Sequence, residues 1–157
     1  MADDITILRN GLRMLMRDQH EMLRGAVRGL DADGLNWKPG ADTNSITQLA
    51  GHALEAQRFL VATAMNVEMT RQREAQFMII AERADDVLAI IDQIENELDG
   101  VLNHVTAAQL SADVTRTITT GTATRTGFHW LLHAFAHTRE HIGQALLTRQ
   151  LYEQRGR

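Results

Sequence analysis

Apolar residues recur at intervals of three and four along nearly the whole chain, and this period decides what the chain can fold into. From Asp3 to Leu30 the stripe is Leu8, Leu12, Leu15, Leu23, Val27 and Leu30, which is one face of a helix. Asp3 and Asp4 sit where negative charge favours a helix N-terminus. The segment Asp31–Asp42 breaks the period, carries the only proline, Pro39, and reads as a loop. Ser45-Ile-Thr-Gln48 has the S-x-x-Q form of a capping box, so a second helix begins there, with Ile46, Leu49, Ala53, Leu60, Ala64 and Val67 as its stripe. Between Asn66 and Gln76 the pattern weakens and a bend or loop is expected.

The third helix is the most regular. Ile80, Ala84, Val87, Ile91, Ile94, Leu98, Val101 and Val105 form a heptad seam, as in a helix packed at about 20° against its neighbours. Thr115–Thr126 is rich in threonine with Gly121 at its middle, and is expected to be an extended loop or short hairpin. A fourth helix runs from about Gly127 to about Gln154. With no convincing sheet, internal repeat or linker, the expectation is an all-α fold, a four-helix bundle, with residues 1–157 forming one domain.

The absence of cysteine excludes disulfide scaffolds, thiolate metal sites and a cysteine nucleophile, so any metal must be held by histidine or carboxylate. The net charge is −4 with Arg and Lys scattered, which argues against nucleic acid as a ligand. The longest apolar runs, such as Phe77–Ala81 and Val87–Ile91, fall far short of the roughly 20 residues that span a bilayer, so no membrane partner is expected. The start, Met1-Ala-Asp-Asp-Ile, is acidic and lacks the pattern of a signal peptide, which makes a cytoplasmic location the default expectation.

Seven histidines are the compositional oddity. His129, His133, His137 and His141 stand four apart on the fourth helix, each step advancing about 40° round the axis. His137 and His141 form an H-x-x-x-H pair that can converge on one metal ion, and Gln144 lies in the same sector. The opposite side carries Leu131, Phe135, Ile142 and Leu146, so this helix needs a bundle on one side and a further partner, such as a second subunit, on the other. His52, at the edge of the second stripe with Glu55 one turn on, is a further candidate ligand. By itself H-x-x-x-H also fits surface histidines spaced by chance.

Other metal motifs fit less well. His137-Thr-Arg-Glu140-His141 reads as the inverted zinc-protease motif H-x-x-E-H, but Glu153 is the only glutamate after it. A di-iron carboxylate bundle needs E-x-x-H, which does not occur. Nothing favours haem.

Taken in order, these pieces resemble the DinB/YfiT-like family of metal-dependent enzymes. The resemblance covers most of the chain. It is carried by Leu35-Asn-Trp37-Lys-Pro39, by Asn44-Ser45-Ile46-Thr-Gln-Leu-Ala-Gly-His52-Ala-Leu-Glu55, by Gly121, and by His133-Ala-Phe-Ala-His137-Thr-Arg-Glu-His141-Ile-Gly-Gln144, which is similar to the family's H-x-x-x-H-x-G-Q signature. Many members have Arg where this chain has Ile142. The resemblance implies a four-helix bundle, often a homodimer. It also implies a metal triad of one histidine from the second helix and two from the last, here His52, His137 and His141. The metal would be zinc, nickel or iron. Relatives include transferases and isomerases that use low-molecular-weight thiols, among them mycothiol-dependent maleylpyruvate isomerase.

Three neutral imidazoles leave a divalent metal its full charge and an open position, where bound water or a cofactor thiol becomes a nucleophile. The expected function is therefore a transferase or hydrolase acting on a small-molecule substrate. Glu55 and Gln144 would orient ligands or substrate, and Glu140 is a candidate base that also reads as a solvated surface carboxylate. His133, His20 and Trp130 are candidate cofactor-binding residues. His20 lies on the apolar side of helix one and equally fits a buried, satisfied histidine, while Trp130 equally fits ordinary packing. Trp37 fits a plug at the end of the bundle. The alternative is a non-catalytic dimeric binding or stress-response protein on the same bundle.

Overall fold

The computed structural model describes residues 3–118 and 121–155. Met1, Ala2, Thr119, Thr120, Gly156 and Arg157 lie outside the described residues, so the expectations touching the extreme N-terminus and the tip of the threonine-rich segment are not addressed there. The order of elements is α1 (Asp4–Val27), α2 (Ala32–Asn36), α3 (Ile46–Ala64), α4 (Arg73–Gln76), α5 (Ala84–Leu102), α6 (Ala107–Ser111), β1 (Asp113–Ile118), β2 (Gly121–Thr126) and α7 (Gly127–Gln154). The four long helices, α1, α3, α5 and α7, are those the period predicts, and the fold is all-α with one small hairpin.

Local chemistry sets the ends of these helices. The Asp3 carboxylate accepts from the Thr6 amide at 2.8 Å and caps α1. Ser45 and Gln48 form both halves of the predicted capping box at the start of α3. Thr126 ends β2 and caps α7, so strand passes into helix without a loop. Gly127 is required at that junction: a Cβ there would drive into the carbonyl oxygens of Gln109 and Ala64, which close over it from the ends of α6 and α3.

Two expectations need correction. The loop expected at Asp31–Asp42 contains a one-turn helix, α2, because Asp31 accepts from the Gly34 amide and caps it. The third helix starts at Ala84, not Ile80. Arg83 is its N-cap, and Ile80 is 76% exposed, so it continues the apolar spacing without joining the core. The threonine-rich segment forms the short hairpin expected of it, an antiparallel pair running from Asp113↔Thr126 to Ile118↔Gly121. Its outer face is zipped by threonine hydroxyl pairs, Thr115–Thr124 at 2.7 Å and Thr117–Thr122 at 3.0 Å. Gly121 takes a φ of 120° at the start of β2, a conformation that favours glycine.

The core runs between the long helices. Leu12, Met16, Leu23 and Val27 of α1 meet Ile91, Ile94, Leu98 and Leu102 of α5 and Trp130, Leu131, Phe135 and Ile142 of α7. α3 is buried almost all round and packs most extensively on α7. That contact matters most for function, because both helices carry histidines. At the far end of α7, Trp37 stacks obliquely on Tyr152 and covers the end of the bundle. Among the described residues no helix is long and apolar enough to cross a membrane.

Candidate metal centre

The packing of α3 on α7 brings His52 against His137 and His141. Ring centroids are 5.3 Å apart for His52 and His137, 4.6 Å for His52 and His141, and 4.5 Å for His137 and His141. One ring nitrogen from each lies within 4.8 Å of the others, which is close enough for one ion to touch all three. His52 is buried and the two α7 histidines are half-buried. The four-residue spacing on α7 supplies two ligands from one face, and α3 supplies the third from across the interface.

Amide side chains fix two of the rings. His141 Nδ1 lies 2.9 Å from Gln144 Oε1. His52 Nδ1 lies 3.2 Å from Gln76 Oε1, which also accepts from Arg71 Nη2 at 3.0 Å. An amide oxygen only accepts, so Gln144 draws the His141 proton to Nδ1 and leaves that ring's Nε2 lone pair for a metal. His52 Nδ1 lies between an acceptor, Gln76 Oε1, and a donor, Arg71 Nη2 at 3.2 Å, which together hold the ring in place. Phe77 stacks on the His52 ring at 4.6 Å, and the Gln48 amide holds the Phe77 carbonyl. The third ring differs: His137 Nδ1 is buried without a hydrogen-bond partner among the described residues. Such an orphan costs about 1–3 kcal/mol unless something from outside meets it.

The electrostatics favour neutral rings. Burial, reinforced by His141 and the Arg71 cation, pulls His52 down to about 3. Burial and the same two neighbours pull His137 down to about 4. Two imidazoles kept neutral by burial, a third beside them on α7, and an orphaned nitrogen form a donor set that fits a borderline divalent ion.

Beside the triad lies a cavity of about 660 Å³. Its polar wall is His52, His133, His137, Arg71 and Arg73. Its apolar wall is Phe59 and Leu60 from α3 and Ile118 from the hairpin, with Thr117 alongside.

The other residues singled out from sequence fall in several places. His133 lines the cavity, and burial pulls its pKa down. Trp130 stacks behind His133 at 6.1 Å and donates its indole N–H to the Val114 carbonyl, so it supports the wall without forming it. Gln144 orients His141. Glu55, one turn from His52, lies 3.7 Å from Arg58 and does not line the cavity. Glu140 is exposed. His20 is not in the cavity: it is fully buried between α1, α3 and α5, with Nε2 2.8 Å from Gln57 Oε1 and Nδ1 3.2 Å from Glu95 Oε2. His104 leans on its own helix through the Gly100 carbonyl. Gln76, Arg71, Arg73 and Phe59 were not foreseen. The only sequence signal for Gln76, Arg71 and Arg73 is a polar, arginine-bearing stretch just where the apolar period fades, and Phe59 reads as one more apolar residue of the second helix.

The chain belongs to the DinB superfamily, whose family model matches residues 15–145. Two crystal structures share the fold. One is a conserved protein from Enterococcus faecalis, at TM-score 0.72 and 18% identity, covering 96% of this chain and 98% of its own. The other is a candidate member of the DinB family from Exiguobacterium sibiricum, at TM-score 0.69 and 18% identity, covering 100% of this chain and 97% of its own. No curated protein matches the chain.

Proposed function

We propose that this protein is a metal-dependent enzyme of transferase or hydrolase type, with His52, His137 and His141 holding a divalent zinc, nickel or iron ion. The observation that carries this reading is the convergence of three ring nitrogens within 4.8 Å beside a cavity of about 660 Å³. A bound divalent ion would supply Lewis acidity there and lower the pKa of water or of a low-molecular-weight thiol. The chain itself contributes positioning. Gln76 and Gln144 hold two of the rings in place, His133 offers a nitrogen in the cavity wall, and Phe59, Leu60 and Ile118 keep one side of a small-molecule substrate out of water. The sulfur of any thiol chemistry must come from a cofactor, because the chain has no cysteine.

The test is metal analysis and calorimetry on protein purified without a histidine tag. Stoichiometric uptake of zinc, nickel or iron, lost in His137→Ala, supports the reading. Absence of uptake leaves the alternative, a non-catalytic binding protein on the same bundle. Calorimetry with low-molecular-weight thiols on the loaded protein then separates a thiol-dependent transferase from a hydrolase.

The same reading includes a homodimer. On α7, Leu132, Leu147 and Leu151 are 49%, 54% and 41% exposed on the side away from the core, where a second copy would cover them. Sedimentation equilibrium tests it, with Leu147→Glu expected to shift the species to monomer.

A further inference from the structure

We propose that Arg71 and Arg73 form an oxyanion seat in the cavity wall, and that the substrate is a small organic anion with an apolar body. The proposal rests on the metal-centre reading only for the fate of the other end of the molecule; anion binding itself needs no metal.

The argument starts from charge pairing. On the faces of α1, α3 and α5, Arg13 and Arg17 pair with Asp99, Arg24 with Asp92 and Glu95, and Arg58 with Glu97. Arg9 and Arg139, which lack a carboxylate, instead donate to the Val105 carbonyl and the Met22 sulfur. Among the described residues neither Arg71 nor Arg73 has a carboxylate within 4.0 Å. The nearest acid on α3, Glu55, is turned toward Arg58 at 3.7 Å. Arg71 Nη2 reaches Gln76 Oε1 and His52 Nδ1, and its guanidinium lies 5.9 Å from the Phe59 centroid, while its Nε is buried with no partner among the described residues. The Arg73 guanidinium lies over the Phe77 ring, 5.3 Å from its centroid. Arg71 is half-buried and Arg73 exposed at the cavity wall, and they repel each other, with Glu55 the only acid that offsets this and no carboxylate in ion-pair contact with either. A carboxylate or phosphate oxygen pair satisfies both, since each guanidinium presents a fork of donors.

The rest of the cavity selects what is attached to that oxyanion. Phe59, Leu60 and Ile118 face the space between the arginines and the histidines, so an aryl or alkyl body fits there better than a polar one. Held this way, the anionic end sits on the arginines and the far end is presented to the triad.

The experiment is a two-dimensional amide NMR titration of the EDTA-treated full chain in 150 mM chloride. The probes are 3-phenylpropanoate, 2-phenylethyl phosphate and the neutral 3-phenylpropanamide. At least one anion is expected to bind about tenfold tighter than the amide, with shifts at Phe59, Leu60 and Ile118; which anion wins distinguishes a carboxylate substrate from a phosphate. R73Q and R71Q should each weaken the anion about tenfold without changing the amide, and R71K should retain part of the preference. Equal binding of amide and anion, binding of none of the three, or an anion preference that survives in the R71Q/R73Q double variant overturns the proposal. A protein that takes up no metal yet shows the preference keeps the seat and loses the metal-centre reading, so the two fail separately.

Discussion

The bundle buries two clusters of histidine and amide side chains, and they differ in completeness. Around His20 every partner is internal. Gln57 and Glu95 oxygens face its two nitrogens, Gln57 donates on to Gln19, Gln19 donates to the Phe135 carbonyl, and Arg24 neutralises Glu95. Burial pulls the His20 pKa down, and Gln57 and Glu95 pull against it. Around His52 and His137 the charged neighbours push the same way as burial, opposed at His52 only by the Gln76 hydrogen bond, and His137 Nδ1 is buried with no partner among the described residues. The first cluster is a cross-tie between helices whose partners all come from within the fold, with an oxygen at each ring nitrogen. The second is closed only when something enters from outside. The difference separates a structural histidine from a ligand in the same core, which residue type alone does not do.

The comparison can be broken most sharply at the triad. His137→Ala should cost more than a hundredfold in zinc or nickel affinity by calorimetry, beyond the roughly 10–100-fold that loss of an outer hydrogen-bond partner costs. The apo protein should keep its helical circular dichroism, because an orphaned nitrogen has been removed. The mirror experiment is His20→Ala. It should lower unfolding free energy by about 2–4 kcal/mol in urea, through a cavity plus stranded Gln57 and Glu95 oxygens, while leaving metal affinity intact. Next in size, Gln76→Ala and Gln144→Ala should each weaken metal binding by about 10–100-fold, with little change in stability.

The smallest effect is a slope with pH. Folded His52 and His137 refuse protons until about 3 and about 4, whereas the unfolded chain accepts them near 6.5. The unfolded state therefore binds more protons between these values. The stabilising contribution is complete above about 6.5 and declines as pH falls through that window. The urea midpoint of metal-free protein should decline from pH 7.5 to pH 6, less steeply in the H52Q/H137Q variant.

Much of this was legible in the residues because it rests on local chemistry. The apolar period gave the four long helices, and Ser45 with Gln48 marked the start of α3 within a residue. The short helices α2, α4 and α6 escaped, since one turn is too brief to show a period and depends on caps such as Asp31 and Thr106. For the candidate site, spacing along α7 paired His137 with His141, and the family resemblance picked out His52. Nothing along the chain tells His20 from His52, because what distinguishes them is which side chains arrive from other helices. Arg71, Arg73 and Gln76 were invisible for the same reason: they lie in an irregular stretch whose position is set by Phe77 and Gln48.

Gly127 gives the site a mechanical character. α7 begins pressed between the Gln109 and Ala64 carbonyls, and His137 lies about 15 Å further along the same rigid rod. The glycine is thus a pivot and the helix a lever arm. A side chain at the pivot would tilt the lever and move two imidazoles together relative to the one on α3. Metal affinity becomes a strain gauge for packing three turns away along the helix, readable without touching any residue that would meet the ion.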